Sequence, residues 1–150
     1  MDIVRADSDE LFIDVDSHVK RKSMTHLHMH NYYELYYLTE GVRKYFIDDT
    51  IYELKEGDIV VIPPDILHRT VGTDKELYSR ILLCFLPDTL DDSLKNNEWI
   101  NNHFLRIPRI RRKKLDDIFE KIEYEKNRND EYSEQLINNY INEIFMLITR

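Results

Sequence analysis

A mostly β domain followed by a C-terminal pair of antiparallel amphipathic helices is what this chain predicts, and three observations predict it. Between His26 and about Pro108, short runs of aromatic and β-branched residues alternate with turn residues, the spacing of a sandwich or small barrel. After Arg109 the apolar period lengthens to that of a helix. Ahead of both, residues 1–25 form a polar arm, acidic and then basic, whose one alternating piece, Leu11 to Val15, could add an edge strand.

The bulk properties fit one folded domain. At 150 residues, 42% of them hydrophobic and with ten Tyr and six Phe, the chain is long enough and apolar enough to bury a core. Its net charge of −8 repels nucleic acid, so any DNA contact lies outside this segment or in one local patch. The single Cys84 sits in the apolar run 81–86 and reads as a small buried hydrophobe. No signal-like segment opens the chain and no run approaches the ~18 apolar residues of a membrane helix, so a soluble cytoplasmic protein is expected.

The strands follow in order. Tyr32 to Leu38 is aromatic-rich and ends at Glu40-Gly41. Arg43 to Ile47 and Thr50 to Leu54 flank the tight-turn pair Asp48-Asp49, and Glu56-Gly57-Asp58 makes the next turn. Ile59 to Ile62 is a continuous apolar run that Pro63-Pro64-Asp65 stops, because proline cannot donate to the ladder. Arg69 to Val71 and Leu77 to Phe85 are strands around a turn at Gly72-Thr73-Asp74. Residues 87–103 read as a polar connection with room for a helical turn and a small satellite core at Trp99, and residues 103–108 as a closing strand.

Leu115, Ile118, Phe119 and Ile122 mark the first helix, which Asn127 to Asp130 breaks. In the second, Ile137, Tyr140, Ile141, Ile144, Phe145 and Ile148 form one stripe, and Leu136, Met146 and Leu147 widen it. A helix apolar over that much of its circumference needs cover on two sides. The first helix or the sheet supplies one, and a second copy of the chain is expected to supply the other, through the stripe. The basic run Arg106 to Lys114 stands out in an acidic chain and reads as a solvated strand-to-helix junction, with contact to phosphate as its other reading.

Chemistry concentrates at His28-x-His30-x3-Glu34 and at His68. In a strand alternate side chains share a face, so His28 and His30 can point together, with a carboxylate just beyond and a further imidazole from a later strand. Such a set makes either a metal site or a polar pocket floor; the spacing allows an ion without requiring one. Three His and one Glu admit Zn, Ni, Mn or Fe. His26 shares the strand face but reads as surface or structural. Tyr36, Glu34, His68 and the nearby Arg43 or Arg69 could line a site for a polar molecule, with aromatic faces for C–H surfaces and charged groups for hydroxyls. Taken singly, Tyr33, Tyr36 and Tyr37 read as core and edge packing.

These residues carry a resemblance. His28-x-His30-x3-Glu34-x6-Gly41 resembles the first cupin motif, whose histidines and glutamate are ligands in metal-binding cupins. Gly57-x5-Pro63-x-Asp65-x2-His68 resembles the second, with Asp65 where that motif has glycine and Gly72 where it has asparagine. The text around them, His28 to Gly41, Tyr52-x-Leu54-x2-Gly57-Asp58, Ile62-Pro63-Pro64 to His68-Arg69 and Arg80 to Phe85, resembles the N-terminal sensing domain of AraC-type transcription regulators, and the two helices continue that resemblance. It implies a cupin-type (jelly-roll) β-barrel over 26–108 that binds a small effector, often a sugar, and a helical segment over 109–150 that makes a homodimer. It also implies DNA binding through a C-terminal helix-turn-helix half, which nothing in this chain resembles, and no obligatory cofactor. Effector binding is expected to order the 1–25 arm or a rim loop. The rival reading is a metal-dependent cupin enzyme, a dioxygenase or isomerase, with His28, His30, Glu34 and His68 on Fe or Mn.

Overall fold

The computed structural model describes residues 3–20, 26–71, 77–98 and 103–150, with the backbone alone at 12 and 14–20. The expected turn at Gly72-Thr73-Asp74 and the expected satellite core at Trp99 lie outside the described residues. Among the described residues ten strands run in order β1 (Ile3–Arg5), β2 (Phe12–Lys20), β3 (Leu27–Met29), β4 (Tyr33–Glu40), β5 (Val42–Ile47), β6 (Thr50–Lys55), β7 (Asp58–Ile62), β8 (His68–Val71), β9 (Leu77–Phe85) and β10 (Phe104–Arg106). Among the described residues the α-helices are a single turn α1 (Asp92–Lys95), then α2 (Arg109–Arg128) and α3 (Ser133–Thr149).

The strands form two five-stranded sheets, ordered β1-β3-β8-β5-β6 and β10-β7-β4-β9-β2. Pairing is antiparallel throughout, except that β1 lies parallel to β3. The expected strand in the arm is present and longer than its alternating piece: β2 pairs with β9 over most of its length. The arm also supplies β1, which no pattern in residues 1–10 announces.

Strand alternation divides the second sheet into two apolar faces. Tyr36, Leu38, Val60, Ile62 and Tyr78 face the first sheet and pack with Tyr45, Ile47 and Leu54 from it. Tyr33, Leu35, Tyr37, Ile59, Val61, Ile81, Leu83 and Phe85 face the other way and are covered by α2 and α3. That second layer explains why β4 and β7 lack a polar face. β5 in the first sheet has one, with Arg43, Tyr45 and Ile47 inward and Val42 and Lys44 exposed.

Turn chemistry sets the register. Asp48, at φ 59°, turns β5 into β6. Gly41 stands at φ +89°, where a Cβ would lie 2.6 Å from the Leu77 carbonyl oxygen, so the glycine that closes the histidine motif is a backbone requirement. Asn129, at φ 51°, ends α2 in the left-handed conformation and returns its N–H to the Glu125 carbonyl.

The helix stripe assigned from sequence to a second copy is used inside the chain. Ile137, Ile141, Ile144, Phe145 and Ile148 are buried against α2 and the second sheet, and Tyr140 packs beside them, half-buried. The helical pattern showed that α3 needed cover on a wide arc, and the sheet and α2 provide it. Of the wider apolar set, Met146 is left exposed.

Candidate metal and effector site

His28 lies on β3 opposite His68, the first residue of β8. His30 follows β3 by one residue, and Glu34 lies near the start of β4 on the face that looks toward the first sheet. One ligand atom from each of the four lies within 4.8 Å of the others. The four residues read together in the sequence are therefore together in space, but they are brought there by β3, the residue after it, β4 of the other sheet and β8, and not by alternation along one strand. His30, Glu34 and His68 are buried and His28 is partly exposed, at the rim.

Hydrogen bonding orients the rings. His30 Nδ1 lies 3.0 Å from the Tyr32 carbonyl oxygen and His68 Nδ1 2.8 Å from that of Ile66. A carbonyl only accepts, so in the neutral rings Nδ1 carries the proton and Nε2 presents a lone pair. Both Nε2 atoms are buried without a hydrogen-bond partner among the described residues. They stand 3.4 Å and 3.7 Å from the same oxygen, Glu34 Oε1. Two lone pairs and a carboxylate oxygen converging in a dry interior repel one another unless a cation, proton or metal, lies between them. With bonds of about 2.1 Å, neighbouring ligands of a metal centre stand about 3.0–3.4 Å apart, so the two histidine–glutamate distances already come close to such a centre, while the wider separations in the set, up to 4.8 Å, must close further to hold an ion.

The titration directions fit this arrangement. Burial alone would raise the Glu34 carboxyl, but the adjoining His30 and His68 rings and the Tyr45 hydroxyl reverse it and hold the group far below the usual carboxylate range. Burial would lower His68, and the Glu34 carboxylate raises it instead. His28 is lowered by burial and by the neighbouring His68 charge.

Tyr45, which the motif reading missed, donates its hydroxyl to Glu34 Oε2. It turns the other carboxylate oxygen toward the histidines. The signal for it lay in β5, where Tyr45 alternates with Arg43 and Ile47 on the inward face. Replacing it with phenylalanine keeps the ring and removes the donor. Tyr45→Phe is expected to weaken divalent-metal binding about 10- to 100-fold in a calorimetric titration, the usual effect of losing an outer partner of a ligand. Unchanged affinity would show that Glu34 is oriented by the strands alone.

Of the expected effector contacts, Glu34, Tyr36, Arg43 and His68 face the interior between the sheets. The Tyr36 hydroxyl is buried, and its ring meets that of Tyr45 edge-on at 5.2 Å. The Arg43 guanidinium lies 4.2 Å from the centre of the Tyr78 ring. Arg69 is different. It follows the inward His68 on β8 and so lies on the opposite face, with Phe46 as its register partner. Nearness in sequence placed it at the site, and strand alternation takes it away. His26 is exposed, and its backbone supports His28.

The arm runs beside the site. Val4 pairs with His28 in register, the Ala6 N–H donates to the Met29 carbonyl, and Arg5 Nη2 lies 2.8 Å from Asp65 in the loop before His68. Neither β1 nor this ion pair was legible in the sequence.

Two facing sheets with three histidines and a glutamate at one end of the interior define a cupin-type cup. Over residues 16–139 the chain matches the model of the AraC-like ligand binding domain, and it belongs to that family. Among solved structures it is similar to a cupin protein of Bacteroides fragilis, at 18% identity over 54% of this chain and 70% of that one, with a TM-score of 0.47. It is also similar to a Cupin 2 conserved barrel domain protein of Leptotrichia buccalis, at 23% identity over 52% and 36%, TM-score 0.44. Oxalate decarboxylase of Bacillus subtilis matches at 22% identity over 54% of this chain but only 22% of that enzyme, TM-score 0.44. No curated protein matches the chain.

Proposed function

We propose that this chain is the sensing part of an AraC-type transcription regulator and takes up a small polar effector, a sugar among the candidates, in the cup beside Glu34 and His68. The observation that carries this is the family match, which runs from the arm through the cup into the helical pair. His28, His30, Glu34 and His68 would hold a divalent ion, Zn, Ni, Mn or Fe, and the buried unpartnered Nε2 atoms support that fit. When bound, such an ion supplies a Lewis-acidic anchor for an effector hydroxyl or carboxylate. Tyr36 and Arg43 would orient the rest of the molecule.

The signal would leave through the arm. β1 is zipped to the ligand-bearing β3, and Arg5 is tied to the Asp65 loop, so occupancy of the cup biases how the arm docks. The protein would act in the cytoplasm as a homodimer and reach DNA through a helix-turn-helix half outside these 150 residues. Among the described residues no helix is long and apolar enough to cross a membrane.

The complete ligand quartet favours one rival, a metal-dependent dioxygenase or isomerase. A single experiment separates the two. The purified chain, loaded in turn with each divalent ion, is mixed with a panel of monosaccharides and small organic acids, and the mixture is followed by calorimetry and then mass spectrometry. A sensor binds one class with a melting temperature increase and returns it unchanged. Turnover of any compound at a steady rate would replace the sensor with the enzyme, and no binding at all would remove the effector claim.

A further inference from the structure

The basic run 106–114 holds six of the chain's 21 cations and none of its 29 acids, and the proposed effector site makes no use of it. The structure divides these six into two groups. Arg106 is locked onto the buried Asp58 through two bonds of 2.9 and 3.2 Å. Arg112 folds back to the Ile107 carbonyl at 3.1 Å and covers Gly57. Both serve the strand-to-helix junction. Arg109, Lys113 and Lys114 are exposed and Arg111 is half-exposed. Of these four, only Lys113 has an ion pair among the described residues, a solvent-facing one to Asp117 at 3.6 Å.

This second group sits where a helix least favours it. The N-terminal end of a helix carries partial positive charge, and α2 has no acidic residue in its first turn. Arg109 and Arg111 stand in that first turn and repel the helix end, and Lys113 and Lys114 in the next turn add to the repulsion among the four. Between them Ile110 stands 89% exposed. A merely solvated junction needs none of this, since acidic or neutral residues would serve α2 better. A polyanion laid across the helix start relieves both repulsions together. Position selects which polyanion. α2 and α3 are antiparallel and joined by a short turn at 129–132, so the end of α3 returns to the same end of the hairpin as the basic run. A DNA-reading half joined after α3 would hold the duplex beside these side chains.

We propose that Arg109, Arg111, Lys113 and Lys114 form a phosphate-contacting surface through which this domain touches the backbone of duplex DNA. The contact is independent of base sequence, because phosphates position a protein without reporting the bases. The proposal rests on reading the chain as part of a DNA-binding regulator, and because the calorimetric test of the cup does not involve the patch, failure of that reading and failure of the DNA contact are told apart.

The test uses fluorescence anisotropy with the 150-residue chain and a labelled duplex of arbitrary sequence. Four phosphate contacts predict a roughly hundredfold loss of affinity between about 50 and about 200 mM salt. Arg109→Glu with Lys114→Glu should weaken binding at least about tenfold at the lower salt, while the melting temperature holds or rises, because Glu suits a helix start. Lys44→Glu with Lys121→Glu, equal in charge and away from the run, should leave binding within about threefold. The proposal falls if the wild type does not bind the duplex, if the first pair of reversals is without effect, or if the control pair weakens binding equally. It also falls if polyglutamate competes as well as unlabelled duplex, which would mark an acidic protein as the partner. A reduced sedimentation mass in the Arg109→Glu, Lys114→Glu variant would assign the patch to a second copy and overturn it as well.

Discussion

Ile141→Asp is expected to abolish folding of the domain. Ile141 is fully buried in the layer between α3, α2 and the second sheet. Removing its side chain alone would cost about 2–5 kcal/mol through lost burial and the cavity left behind. An unpaired carboxylate in that layer adds several kcal/mol more, because no cation of the described core lies there to receive it. A domain of this size has about 5–15 kcal/mol in hand, so the sum removes most or all of it. The expected result is loss of the cooperative thermal transition and accumulation of insoluble protein. Met146→Asp, on the exposed side of the same helix, should melt within a few degrees of the wild type. A soluble, cooperatively melting Ile141→Asp of reduced mass would return the stripe to contact with a second copy.

His68→Ala is expected to have the next largest effect, on metal binding. His68 is fully buried, its ring lies 4.0 Å from that of His28 and 4.8 Å from that of His30, and it stands on the opposite strand from His28. The other three ligands come from the single stretch 28–34, so His68 is the group that closes the set across the sheet. Its loss should lower divalent-metal affinity by more than about 100-fold, beyond the effect of an outer-shell change such as Tyr45→Phe. In thermal melts, a wild-type chain at metal concentrations about 100 times its Kd gains about 2.7 kcal/mol of stability. The variant should show no metal-dependent rise. A wild-type melting temperature indifferent to every first-row divalent ion would instead make the quartet a proton-linked polar floor. Its low-lying Glu34 and raised His68 would then form a buried ion pair.

Much of this protein was legible in its residues alone. The pairing of His28 with His30 and the β5–β6 hairpin follow from alternation and turn chemistry, which depend on neighbours along the chain. So do the stop at Pro63-Pro64, the break at Asn127 to Asp130 and the two helices on either side of it. Glu34 and His68 join the candidate quartet through the motif resemblance. The match to a sensing domain rests on the same local text.

Tertiary packing decided the remainder. The stripe on α3 required apolar cover, and nothing along the helix distinguishes a sheet of the same chain from a second copy. Tyr45 reached Glu34 because β5 and β4 face each other across the interior, eleven residues apart in sequence. Arg69 was lost from the site by the single step of strand parity that kept His68 in it. β1 formed because β3 offered an open edge, and a three-residue strand has too few side chains to declare itself. Periodicity records which faces of an element must be buried; only the assembled chain fixes what buries them.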